Sequence, residues 1–159
     1  MFRYGMQEQI IPLISPVDIT NTDVNSPFVK VSNAHWLRFL VPFGTITGDT
    51  CTVTVAESTA NSTSGGATEV AVPFTYRLSG AVGVDTWGAV TTADSGGLLV
   101  TASDDDKILA IDIDPRTLDD GYNYVRVQLV TGGSMSACEV AAVAIVHPRY
   151  AQLDNVSST

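Results

Sequence analysis

Between Phe28 and His147 apolar and polar residues alternate in short runs separated by Gly, Asp, Asn and Ser clusters. A period of two over four to eight residues is the signature of strands that bury one face. Leu37, Phe39 and Val41 share one side of such a run while Trp36 and Arg38 share the other. In the same way Cys51, Val53 and Val55 oppose Thr52 and Thr54, and Leu109, Ile111 and Ile113 oppose Asp112 and Asp114. The pattern predicts about nine strands, near Phe28–Val31, Ala34–Val41, Thr50–Glu57, Glu69–Leu78, Trp87–Thr91, Leu98–Thr101, Lys107–Ile113, Tyr122–Val130 and Ala137–His147.

The last run differs from the others. Ala137 to Val146 is apolar on both faces apart from Glu139, so it is expected to lie centrally or to have its second face covered by another subunit. Asn61-Ser-Thr-Ser-Gly-Gly66 reads as a hairpin loop, and Asp94-Ser-Gly-Gly97 and Thr131-Gly-Gly-Ser134 read as tight turns. Asp114-Pro-Arg-Thr-Leu-Asp-Asp-Gly121 alone suggests a helical turn, with Pro115 at its first position. Ahead of the core, residues 1–26 read as an extended arm whose apolar patch Ile10, Ile11, Leu13 and Ile14 is broken by Pro12 and Pro16, a pattern that suits extended chain or a short edge strand. Asp18 to Pro27 reads as turns, residues 27–150 as one sandwich domain, and residues 151–159 as a polar, fraying tail.

Composition reinforces an all-β reading. Val and Thr are abundant and residues that fill helices are few. A chain of 159 residues is long enough to bury a core without staples. Seventeen acids against eight bases give a formal charge of −9, which disfavours nucleic acid as a partner, because that affinity comes largely from Lys and Arg neutralising phosphates. No basic-then-apolar leader opens the chain, and no apolar run approaches the roughly 20 residues that span a bilayer. Synthesis in a cytoplasm and no membrane partner are therefore expected, with Cys51 and Cys138 as buried free thiols.

Few residues are candidates for chemistry. His35 and His147 are the two imidazoles and neither sits at metal-ligand spacing, and no nucleophile-elbow or phosphate-cradling motif is present. The acids are more tempting: Asp104-Asp105-Asp106, then Asp112 and Asp114, then Asp119 and Asp120. Hard cations bind such oxygen clusters, yet the spacing is not that of a calcium loop, and a solvated acidic face is the plainer reading. Asp112 and Asp114 also stand about 6.6 to 7 Å apart on one strand face, near the separation of an inverting glycosidase pair, although such enzymes place their acids on different strands across a cleft. Trp36, Trp87, Phe74 and Tyr76 are candidates for a carbohydrate platform if exposed and coplanar, and for core packing otherwise. No catalytic, cofactor-binding or metal-binding residue is assigned.

The run Ala34-His-Trp-Leu-Arg-Phe-Leu-Val-Pro-Phe-Gly-Thr-Ile-Thr-Gly48, Cys51-Thr-Val-Thr-Val-Ala-Glu57, Asp85-Thr-Trp87, Leu109-Ala-Ile-Asp-Ile-Asp114, Leu118-Asp-Asp-Gly-Tyr122, Tyr124-Val-Arg-Val127 and Pro148-Arg-Tyr-Ala-Gln152 resembles the small β-rich proteins that decorate or cement the capsids of tailed bacteriophages. The resemblance lies in the order and texture of segments over most of residues 28–152. It implies an antiparallel β-sandwich, jelly-roll-like, that assembles as a homotrimer on the outer capsid of the virion and binds the major capsid protein without catalysing anything. On that reading Phe2, Tyr4, Ile10, Ile11, Leu13 and Ile14 are the expected subunit or capsid contacts, and no cofactor is implied. A tail or head-to-tail component fits the same texture, and a carbohydrate-binding module and a glycosidase are the alternatives from other classes.

Overall fold

Alternation needs a partner sheet to bury against. In the computed structural model, which describes residues 8–62 and 68–149, that partner comes from the same chain. The strands are β1 (Gln9–Asp18), β2 (Val24–Asn25), β3 (Val29–Lys30), β4 (Ala34–Thr47), β5 (Cys51–Ser58), β6 (Glu69–Val72), β7 (Phe74–Leu78), β8 (Thr91–Ala93), β9 (Leu98–Val100), β10 (Ile108–Ile113), β11 (Tyr124–Thr131) and β12 (Ala137–Pro148). One sheet runs β1-β12-β4-β10-β7-β8; the other runs β2-β11-β5-β6, with β3 also on β11 and β9 also on β5. All the pairings are antiparallel, so the fold is an antiparallel β-sandwich. Leu37, Phe39, Leu109 and Ile111 of the first sheet meet Val53, Val55, Val127 and Leu129 of the second in a fully buried core.

The strands nest. β1 pairs β12, β2 and β3 pair β11, β4 pairs β10, and β5 pairs β9, as if one long antiparallel ribbon were rolled up. β6 adds beside β5, β7 beside β10 and β8 beside β7, as an insertion at the ribbon's closed end.

Three of the expected segments come out differently. Glu69–Leu78 is two strands, because Pro73 has no N–H to continue a ladder and the chain changes sheet there. Trp87–Thr91 is a loop in which Trp87 forms one isolated bridge to Ser79, and the strand begins only at Thr91. Asp18–Pro27 holds a two-residue strand, since Val24 and Asn25 pair Leu129 and Gln128. The expected helical turn is a 3-10 turn, Pro115–Thr117, with Pro115 first and the Asp114 carboxylate accepting the Arg116 N–H at 3.0 Å.

Several connections trade one sheet for the other, and two depend on glycine. Gly48 leaves β4 at φ +92 and Gly97 enters β9 at φ +90. A Cβ at Gly97 would stand 2.4 Å from the Val53 carbonyl oxygen, and one at Gly48 2.5 Å from that of Ser134. Cys51, the first residue of β5, and Cys138, the second of β12, lie in opposite sheets and are buried free thiols. Hydrogen bonding to Cys138, and then burial, push the Cys51 thiol up.

Candidate functional site: an apolar outer sheet face and an acidic cleft

The outward faces of the two sheets differ in character. On the second sheet, Thr52 and Thr54 alternate outward with Arg126 and Gln128. Arg126 lies across small Ala56 to bind Glu69 through two bonds of 2.6 and 2.7 Å, with Gln128 adding a third at 3.0 Å. Its guanidinium also sits 4.7 Å from the centroid of Phe28. Around that network the face is polar, while Val130 and Leu99, on either side of Thr52, are exposed apolar residues farther along it.

The first sheet shows apolar rows outward. The register sets Pro12 beside Val143, Val143 beside Leu40, and Leu40 beside Ala110. One row over, Ile10 meets Ile145 and Ile145 meets Arg38; on the other side Pro42 meets Ile108. Ile10 is 60% exposed and Ile108 38%. The polar border consists of the Arg38–Asp112 pair at 2.6 and 2.9 Å, and of Trp36 stacked on His147 at 6.0 Å with Arg38 above it. Beyond β7, the loop that follows Leu78 carries more unburied apolar surface: Val82 is 76% exposed, and Val84, Trp87 and Val90 are exposed as well. Arg77, 5.5 Å from the Trp87 ring, links this loop to the sheet.

Of the six residues expected to make contacts, Phe2 and Tyr4 lie outside the described residues. Gln9–Asp18 forms the outer strand of the first sheet. Within it Ile14 is buried in the core, Ile11 and Leu13 pack against the core, and Ile10 faces outward. The strand Ala137–Pro148 lies between β1 and β4, with its inner face buried and its outer residues Ala141, Val143 and Ile145 half-buried.

Four of the seven acids that tempted a metal or catalytic reading are engaged locally. Asp104 accepts the Thr101 N–H and binds Lys107 at 3.1 Å, while Asp105 accepts the Ile46 N–H at 2.8 Å. Asp112 and Asp114 are each forked by an arginine, Arg38 and Arg116, and Arg116 holds the Asp114 carboxyl at about 2. Among the described residues no three His, Cys, Asp or Glu side chains converge in a way that holds a metal ion. The two tryptophans do not share a platform. Trp87 bridges Ser79, whose N–H bonds Ile108, and Ile108 is level with Pro42, so positions 36 to 42 of β4 separate the rings by about 20 Å along the strand.

One carboxyl that sequence alone does not single out is unusual. Glu57 ends the inward-facing row of β5, is 1% exposed, and lines a cleft of about 500 Å³ between β6 and the end of β10. Its Oε2 accepts the Asp119 N–H at 3.1 Å. Burial pushes its carboxyl up, against the pull of that N–H. In the sequence it is one acid at the end of an alternating run, indistinguishable from a solvated one.

Comparison with protein-family models, with curated proteins and with solved structures finds no match to this chain.

Proposed function

We propose that this protein is a non-enzymatic structural protein of a tailed-phage virion, a jelly-roll sandwich that associates with itself as a homotrimer and holds neighbouring major capsid subunits together from outside. The observation that carries the reading is the apolar outer face of the first sheet. Contiguous apolar rows with a polar border have the make-up of a protein–protein contact. The exposed Val82, Val84, Trp87 and Val90 extend it beyond the sheet. The nested pairing of β1 with β12, β2 and β3 with β11, β4 with β10 and β5 with β9 supports the jelly-roll topology. A bridging protein adds interface where internal pressure would begin to part the shell.

Ile10→Asp with Ile108→Asp tests this, because both side chains are already exposed in the single chain and their replacement leaves the core intact. In light scattering the parent is expected at the mass of a trimer and the double variant at that of a monomer with an unchanged circular-dichroism spectrum. Cosedimentation with expanded capsids is expected for the parent and lost for the variant. A parent that is monomeric at all concentrations and ignores capsids would overturn the proposal.

A further inference from the structure

The cleft over Glu57 is built unlike the rest of the surface. Its apolar lining comes from Val70 and Val72 of β6 with Phe74, Ile113 and Leu118. Its acidic lining comes from the buried Glu57 and from the more exposed Asp112, Asp114 and Asp119. No Lys, Arg or His lines the cleft among the described residues. Two of the lining acids already hold a guanidinium, Asp112 that of Arg38 and Asp114 that of Arg116, and neither arginine is bonded to Glu57.

Glu57 is thus a carboxyl that is almost wholly buried and has no cation of its own. One backbone N–H satisfies Oε2, and Oε1 has no hydrogen-bond partner among the described residues. Burying a carboxylate without a counter-charge is costly, and a fold that needs only an acceptor for the Asp119 N–H obtains it from an uncharged amide. The apolar lining fits a methylene stem, and the Glu57 carboxyl fits one positive head.

We propose that this cleft is a socket for a single ammonium or guanidinium group carried on an apolar stem of three or four carbons, with Glu57 as its counter-charge. Lysine and arginine side chains have this chemistry, and so do free alkylamines. A charge-assisted bond to Oε1 supplies the strong contact, and stem burial against Val72, Phe74 and Leu118 supplies the rest. The inference is independent of what covers the outer face of the first sheet.

The test is a titration of the full chain followed by amide NMR, with the Asp119 N–H as the reporter. The probes are N-acetyl-lysine methylamide, N-acetyl-arginine methylamide, n-butylammonium and, as the uncharged stem, N-acetyl-norleucine methylamide. The cationic probes are expected to shift Asp119 saturably and at least tenfold more tightly than the norleucine probe. Glu57→Gln keeps an acceptor for the Asp119 N–H and is expected to abolish the response. If that variant fails to fold, Val70→Trp at the exposed rim closes the mouth from outside and is expected to block the same probes. Tighter binding of the lysine or arginine amide than of n-butylammonium identifies a protein side chain as the natural occupant; equal binding identifies a free amine. The absence of any Asp119 shift, equal shifts from the norleucine and lysine probes, or an unchanged response in Glu57→Gln would overturn the proposal.

Discussion

At the scale of single residues, charge is either partnered in water or set against burial, and stability follows which of the two holds. Glu57 is the second case. Its carboxyl is raised mainly by burial, so the folded chain holds that proton more tightly than the unfolded chain does. The stability it contributes is complete below the ordinary glutamate value of about 4.3 and is lost as pH rises through the raised value. Glu57→Gln is therefore expected to be at least as stable as the parent at pH 7, with its advantage shrinking as pH falls towards 4, in urea melts across that range. Arg126 and Arg116 give the complementary contrast. The Arg126–Glu69 pair is largely shielded, at 12% and 21% side-chain exposure, whereas Arg116–Asp114 stands at 67% and 37%. Arg126→Ala strips a half-buried carboxylate and is expected to cost about 2–3 kcal/mol in chemical denaturation. Arg116→Ala is expected to change stability by less than about 0.5 kcal/mol. Part of the candidate site was legible at this scale. Ile10 stood out as apolar on a Pro-broken segment, and Val143 and Ile145 as the second apolar face of a strand. Leu40 and Pro42 did not, because nothing in a run of alternating residues tells which of two apolar sides faces solvent. Glu57 was hidden because residues beside it, Val125 across the ladder and Asp119 on its carboxylate, lie more than sixty positions away.

At the scale of elements, alternation located most strands because each buries one face and shows the other. It carried no information about which sheet a strand joins. Asp94-Ser-Gly-Gly97 has the chemistry of a tight turn and forms one, with the Gly97 N–H on the Asp94 carbonyl at 3.0 Å. That turn passes the chain from β8 in one sheet to β9 in the other. Pro73 likewise marks a change of sheet, where the sequence alone shows one continuous strand-like run. The corner at Gly97 is tight enough to test: φ +90 and a Cβ position 2.4 Å from the Val53 carbonyl leave no room for a side chain. Gly97→Ala is expected to cost about 1–3 kcal/mol by thermal or urea unfolding. Gly83, also at positive φ but with nothing near its Cβ position, is the control, with a smaller cost from backbone strain alone.

At the scale of the whole molecule the sandwich has two outer surfaces, one organised around the Arg126–Glu69 network, the other around apolar rows bordered by Arg38, Asp112 and Trp36. The pairing of β1 with β12 sets when that molecule can exist. Gln9 lies opposite Val146, so the first strand finds its partner only in the last. On a ribosome β1 and β4 emerge long before the strand that must slide between them, and until Ala137–Pro148 has left the exit tunnel the first sheet is split and one edge of β4 is open. Closure of the first sheet therefore waits on the synthesis of Ala137–Pro148, with long-range pairing setting its pace. During synthesis the growing chain offers unpaired strand edges to its neighbours on the same messenger. A nascent chain stalled before residue 137 has no route to a closed sheet, and it is the species a cell's chaperones would have to hold.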